Sequence, residues 1–324
     1  MPMNTYTHLT QVERENILIM HSQGKNVAEI ARLLGRHRST ITRELKRLPK
    51  GHYSAILAQQ HYQQKRRLCK AAKKLQHPDY YRLVQDKFLY EQWSPEQISR
   101  RLKYEKSPLS ISYATIYRGI KEGLFDVGER KATRHLRRKG KTRHMVNHEE
   151  KRGKIVISNP LERRPKSAKN RSRFGHWEAD MVLGKVRKAC LVTLTDRKSR
   201  FLLAKKVPAK QSELVKDAMI ALLKSHKLRS ITPDRGKEFA KHRKVTKALG
   251  VEFYFPEPHQ PWQRGTNENT NGLLREYFPK QADIGQWDDN YIRLVVDKLN
   301  LRPRKCLGRE TAFECYFGKS LHLV

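Results

Sequence analysis

This sequence is short of acidic side chains, of paired cysteines and of long apolar runs, and each shortage removes a class of protein. Asp and Glu number 32 against 69 Lys and Arg, a formal net charge of +37 over 324 residues. Charge of this size does not specify a fold, but it favours nucleic acid or another anionic surface as partner. Residues 1–174 carry +25 of it and residues 175–324 carry +12, so both parts are expected to meet polyanion. The four cysteines, Cys69, Cys190, Cys306 and Cys315, form no C-x-x-C pair, which excludes a zinc ribbon and gives no disulfide framework. His135, His144 and His148 lie close together but lack the cysteines of a zinc site. No run of 18 apolar residues and no signal-peptide pattern is present, so no membrane partner is expected and the cytoplasm, at the bacterial nucleoid, is the expected place. No small-molecule substrate is suggested, and the length suits two or three domains.

What is there begins with helix signals. Thr10 and Glu13 form a T-x-x-E capping box before Val12, Ile17, Leu18 and Met20, and Gly24 ends that helix. A helix over 27–34 places Ala31 four residues before Gly35, and a third over 39–47 buries Ile41 and Leu45. This is a helix-turn-helix pattern, expected as a domain over 1–50, with Arg38, Ser39, Thr40, Thr42, Arg43, Lys46 and Arg47 left for DNA. A basic helical connector is expected over 51–77. Residues 78–125 read as a second helix-turn-helix domain, in which Ser94, Pro95 and Gln97 restart a helix and Tyr113, Thr115, Arg118 and Lys121 face outward on the last one. Residues 126–174 are strongly basic, with few apolar residues and with breaks at Gly140, Gly153, Pro160 and Pro165. They are expected as a linker along DNA, disordered without it, in which Arg137 and Arg138 contact phosphates.

From residue 175 the periodicity changes. The runs 176–182, 189–196 and 200–207 predict three antiparallel strands. Helix 212–225, strand 228–232, helix 238–249 and strand 251–255 follow, and then a helix from Gly265 that carries Glu268, Asn271 and Arg275 on its polar face and Leu273, Leu274 and Tyr277 opposite. Asp180 stands on the first strand, Asp234 after the fourth and Glu268 on the last helix. That β-β-β-α-β-α-β-α order with acids at those places is the ribonuclease-H-like arrangement. Three carboxylates suit phosphodiester chemistry, in which hard oxygen ligands hold two Mg²⁺ ions roughly 3.5–4 Å apart. Glu178 and Glu238 are nearby acids read as supporting or surface groups.

The strings GHWEAD, TLTDRKSRF, GKEFA, QRGTNENTNGLLREYFPK and LNLRPRKCLG, with 33 residues between Asp234 and Glu268, resemble the catalytic region of IS30-family insertion-sequence transposases, a DDE group. The likeness extends over essentially the whole chain. It implies a multidomain protein, N-terminal all-α helix-turn-helix units followed by an α/β ribonuclease-H-like catalytic domain over 175–324, with Asp180, Asp234 and Glu268 as metal-binding catalytic triad. It further implies Mg²⁺ as cofactor, with Mn²⁺ as substitute, and double-stranded DNA as partner, both the terminal inverted repeats and the target. A homodimer or higher oligomer on DNA is expected. Arg235, Arg264 and Arg275 are expected to meet that DNA. Arg235 replaces an Asn usual in the family and Ala312 a common Pro; strand alternation turns Arg235 away from Asp234, whereas a strand that has already ended at Asp234 lets it pair with that carboxylate and lower metal affinity. A His-His-Cys-Cys module of retroviral integrases is absent. Two other readings of the residues are a DNA-binding repressor with an inert core and a ribonuclease-H-like nuclease.

Overall fold

In the computed structural model, which describes residues 7–48, 53–69, 73–137, 155–185, 188–257 and 265–324, the first helix opens where Thr10 and Glu13 exchange backbone hydrogen bonds as a capping box. This is α1 (Gln11–Ser22). A second box, Asn26 with Glu29, opens α2 (Val27–Leu33), and His37 caps α3 (Arg38–Leu45). Each such cap is worth about 1 kcal/mol. Ile17, Ile30 and Ile41 meet in the centre of the bundle, while Val12 is exposed. The connector is not a separate element. Its helix, α4 (Ala55–Leu68), buries Ala58 in the same core and belongs to the first of two compact units, Met1–Lys73 and Lys74–Val324.

The first unit is organised around a buried ion pair that local pattern does not announce. Arg14 Nε lies 2.7 Å from Glu44 Oε1, both side chains 1% exposed. Its Nη1 donates to the Leu9 carbonyl at 2.6 Å and to Gln59 Oε1 at 2.7 Å, so one guanidinium ties α1, α3 and α4 together.

The second unit contains the helices expected as a second helix-turn-helix together with the sheet domain. Pro78–Gln85 (α5) runs into a π-helical turn over Asp86–Tyr90, then α6 (Pro95–Tyr104) and α7 (Tyr113–Lys121) follow. Phe88, Trp93, Ile98, Leu102, Ile116 and Phe125 form their core. Residues 78–125 do not stand as a domain of their own, because Arg101 on α6 is fully buried against the far end of the chain. All five of its N–H donors are used: Nε to Glu105 at 2.5 Å, Nη1 to Glu314 and the Arg309 carbonyl, Nη2 to Glu314 and the Leu321 carbonyl, at 2.7–2.9 Å. Gln97 Nε2 adds a bond to the Pro303 carbonyl and Lys298 Nζ one to the Tyr90 carbonyl.

The sheet has strand order β4-β3-β2-β5, built from β2 (His176–Leu183), β3 (Cys190–Asp196), β4 (Leu202–Val207) and β5 (Ser230–Thr232). The β2-β3 and β3-β4 pairs are antiparallel and β2-β5 is parallel. Beyond β5, a bridge from Ile231 to Phe253 leads to the short β6 (Tyr254–Phe255). Alternation along β2 sends Trp177, Ala179 and Met181 to one face, packed under α9 (Ser212–Leu223) and α10 (His242–Leu249). The opposite face takes Val182 with Leu191 and Leu202, and is covered by α11 (Gly265–Leu274) and α12 (Asp289–Asn300). A last helix, α13 (Ala312–Phe317), carries Glu314.

Residues 155–174, expected as disordered linker, are ordered. Asn159–Pro160 (β1) pairs in parallel with β6, Lys166–Lys169 forms a short helix α8, and Ala168 is fully buried. Side chains whose partners are distant in sequence hold this segment, which is why its basic composition conceals it. His176 bridges Ser167 Oγ at 2.9 Å and Ser230 Oγ at 2.7 Å, and Arg197 Nε bonds the Ala168 carbonyl. Residues 138–154 of the expected linker lie outside the described residues.

Two outcomes follow from these buried groups. Arg101→Ala leaves Glu314 and Glu105 buried without their counter-charge, and should lower the unfolding free energy of the second unit by about 3–5 kcal/mol in denaturant titration. The His176 imidazole is held down to about 4 from 6.5, first by burial and then by Arg229, Arg164 and Arg197. The unfolded chain therefore binds the proton first, so stability falls as pH drops from 6.5 towards 4. His176→Gln should flatten the dependence of the melting temperature on pH across that window.

Candidate active site and nucleic-acid interface

On β2, Glu178, Asp180 and Val182 point to the face that α11 covers, and the three differ in what surrounds them. Val182 is core. Glu178 is fully buried, ion-paired to Arg197, and accepts the Asn267 backbone N–H at 3.2 Å. Asn267 is the third residue of α11, so its N–H is one of the groups with no partner inside the helix, and a carboxylate there also suits the positive helix end. The Asn267 side chain repeats the attachment, donating to the Ala179 carbonyl at 3.2 Å. Arg200 holds the neighbouring Thr266 through its hydroxyl. The start of α11 is thereby pinned on β2 beside Asp180. Thr266 is buried in the first turn of α11.

Asp180 is half-buried; its Oδ1 accepts the Met181 N–H at 2.7 Å and its carbonyl accepts the Thr193 hydroxyl at 3.1 Å. Asp234 is buried two residues past the end of β5, next to β2 in the sheet, and its Oδ1 accepts the Gly236 N–H at 2.9 Å. Glu268 is exposed on the first turns of α11. The three acids thus stand on adjoining elements. Among the described residues, no three His, Cys, Asp or Glu side chains gather closely enough to form a metal-holding group. The donor chemistry fits a hard divalent cation nonetheless. One turn past Glu268, the buried Asn271 Oδ1 has no hydrogen-bond partner among the described residues, and it is, like the carboxylates, a hard oxygen.

Glu238 is neither surface nor solvated: it is buried, 3.1 Å from Lys210. Arg235 does not follow strand alternation, because β5 stops at Thr232. Its Nε donates to the Pro256 carbonyl at 2.6 Å, tying the ends of β5 and β6 together. Arg275 folds back half-buried onto the Phe278 carbonyl at 3.3 Å. Arg137 donates to Asn269 on α11 at 3.2 Å. Arg138 and Arg264 lie outside the described residues.

In the first unit, α3 exposes Arg38, Arg43 and Lys46 and leaves Ser39, Thr40 and Thr42 half-buried. Arg43 is steadied by Ser39 Oγ at 3.0 Å, and the Thr42 hydroxyl by the Arg38 carbonyl at 3.1 Å. Arg47, expected to face DNA, instead pairs with the buried Glu44 at 2.9 Å and lies over the Tyr62 ring. On α7, Tyr113, Arg118 and Lys121 are exposed, while Thr115 is half-buried against the capping Ser112 hydroxyl at 2.9 Å. Glu178, expected as a supporting or surface group, is buried and holds Asn267; sequence reasoning missed Asn267 and Arg197, whose roles depend on partners up to 89 residues away.

A helix-turn-helix domain family matches residues 5–48 and an integrase core domain family residues 170–261. The second match begins inside the ordered 155–174 segment. Integrase core domains are, as a class, divalent-metal enzymes that cut and join DNA. The chain is 39% identical to the transposase InsI of insertion sequence element IS30A from Escherichia coli K12, across 95% of this chain and 82% of that one. It is 36% identical to the transposase of element IS4351 from Bacteroides fragilis, across 95% and 94%. Among solved structures, the catalytic core domain of BIV integrase is similar at 20% identity and a TM-score of 0.35, covering 44% of this chain and 93% of that chain. No helix among the described residues is long and apolar enough to cross a membrane. With that identity over nearly its full length, and with both domain families in the family's order, the chain belongs to the IS30-family insertion-sequence transposases.

Proposed function

We infer that this chain binds the terminal inverted repeats of its element, cuts one strand at the element end with water, and uses the freed 3′-OH to attack target DNA. Each step exchanges one P–O bond for another, so joining needs no external energy source. Asp180, Asp234 and Glu268 would hold the divalent cations, Mg²⁺ with Mn²⁺ as substitute, and Asn271 offers a further oxygen. Bound there, the cations would polarise the phosphoryl group and make water acidic enough to attack at neutral pH. The chain's own contribution is orientation. The observation that carries the reading is the double attachment of Asn267 to Glu178 and Ala179, which brings the helix of Glu268 onto the strand of Asp180. Glu178 serves as a positioning group, its charge already neutralised by Arg197. The exposed faces of α3 and α7 are the proposed DNA readers, with subunits assembled on DNA as a dimer or larger.

In a Mg²⁺-dependent assay that joins an oligonucleotide end to a plasmid, Asp180→Asn, Asp234→Asn and Glu268→Gln should each abolish cleavage and joining while binding the repeat like the parent. Comparable cleavage by one variant would remove that residue from the triad. Specific repeat binding by the parent chain with no joining would make it a repressor, and cutting without joining or repeat preference a nuclease. Arg43→Ala should weaken specific binding by about 1–3 kcal/mol, read by competition between repeat and random DNA. Undiminished discrimination would assign the reading to α7 instead.

A further inference from the structure

Within the second unit, α6, α7 and the 135–137 stretch face α11 and the 302–309 turn across a cleft of about 870 Å³. Two arginines at its wall are buried beyond what their partners explain. Arg302 is 3% exposed; its Nη atoms serve Glu276 at 2.9 Å and the Tyr277 hydroxyl at 3.1 Å, but its Nε has no hydrogen-bond partner among the described residues. Arg304 is 8% exposed; Nη2 serves the Leu299 carbonyl at 3.0 Å, and its Nε likewise has none. Burial, with Arg302, Arg137 and Arg200 adding like charge, holds the Arg304 guanidinium down to about 10. Arg302 has Glu276 as counter-ion, but Arg304 has none among the described residues; a buried cation without one is costly, and a chain keeps it where an anion completes it. The acids that line the cleft do not supply that anion: Glu276 is paired to Arg302, and Glu96 accepts the Tyr117 hydroxyl.

Shape narrows the ligand. This volume lies within the range that takes a small organic ligand, which is room for a few nucleotides of one strand. Tyr117, His135, Leu136 and Leu273 supply ring and apolar surface to the lining, as single-strand sites supply stacking platforms beside cations. Asn269, next to Glu268 in sequence, lines the cleft and is held by Arg137.

We propose that this cleft holds the single-stranded 3′ end of the DNA, with backbone phosphates on Arg302 and Arg304 and a base against Tyr117 and Leu136, and so leads that strand to the helix of Glu268. This rests on the transposase reading, yet it is testable apart from it. Cys306 lines the cleft and is exposed, whereas Cys190 is buried and Cys315 half-buried. In the full chain carrying Cys69→Ser, Cys306 is then the most accessible thiol. The probe is a repeat-end duplex with a short 3′ overhang whose terminal base bears a disulfide-activated tether. A blunt duplex with the same tether is its control. The expected result is conjugation of Cys306 by the overhang probe in large excess over the blunt one, mapped by peptide mass. In a parallel titration, Arg304→Gln should reduce the preference for overhang over blunt DNA about tenfold, the loss of a charge-assisted contact. Duplex binding with equal or no conjugation at Cys306 overturns the cleft assignment alone. Failure to bind either probe above random DNA overturns the transposase reading with it.

Discussion

A single guanidinium, that of Arg101, decides how this molecule is divided. With no exposure and five satisfied donors, it joins α6 of the second helix-turn-helix to Glu314 of α13, to the Arg309 and Leu321 carbonyls and to Glu105. A planar fork with fixed N–H directions accepts such a set only in one relative arrangement of the two parts. Glu105 in turn accepts the backbone N–H groups of Leu323 and Val324, and those residues pack on the core of the helix-turn-helix. The Glu314 carboxyl is held at about 2 by Arg101 and by the Thr311 and Leu321 N–H groups, against its burial. That contribution is present above the ordinary carboxylate range and is lost only as pH falls from 4.5 towards 2. The consequence for function is that the proposed DNA-reading surface of α6 and α7 and the sheet that bears the acids belong to one compact unit.

The same logic recurs where acids are few. Glu44 is held by Arg14 and Arg47, Glu178 by Arg197, and Glu276 by Arg302. Each of these carboxylates takes an arginine to fix an element, which leaves the remaining basic side chains to the faces and clefts available to polyanion. Basic residues therefore sort by neighbourhood rather than by type. Arg43 lies on α3 and Arg47 just past its end, yet the first is exposed and the second is folded onto Glu44 and Tyr62.

Legibility from sequence follows range. The capping boxes at Thr10 and Ser94 act over three residues, and both helices start where those signals stand. Strand periodicity located β2, β3 and β4 to within two residues, because each buries one or both faces. What stayed hidden was long-range. Nothing local in a basic stretch reveals that Ala168 is core or that Ser167 meets His176, and nothing around Arg101 points to a partner 213 residues on. At the site, the chemistry of three acids and the family resemblance named Asp180, Asp234 and Glu268. The Asn267 attachment that brings α11 to β2 needed the fold, since it joins a helix N-terminus to a strand through backbone groups.

The account's central claim, that reader and acids move as one body, is most directly tested by cut position. Base pairs are inserted between the sequence protected by the α6–α7 surface and the element end, and the cleavage site is mapped at nucleotide resolution. One body predicts that the cut keeps its distance from the protected sequence and moves inward from the displaced end by the inserted length. A cut that stays at the displaced end, whatever the insertion, would contradict it.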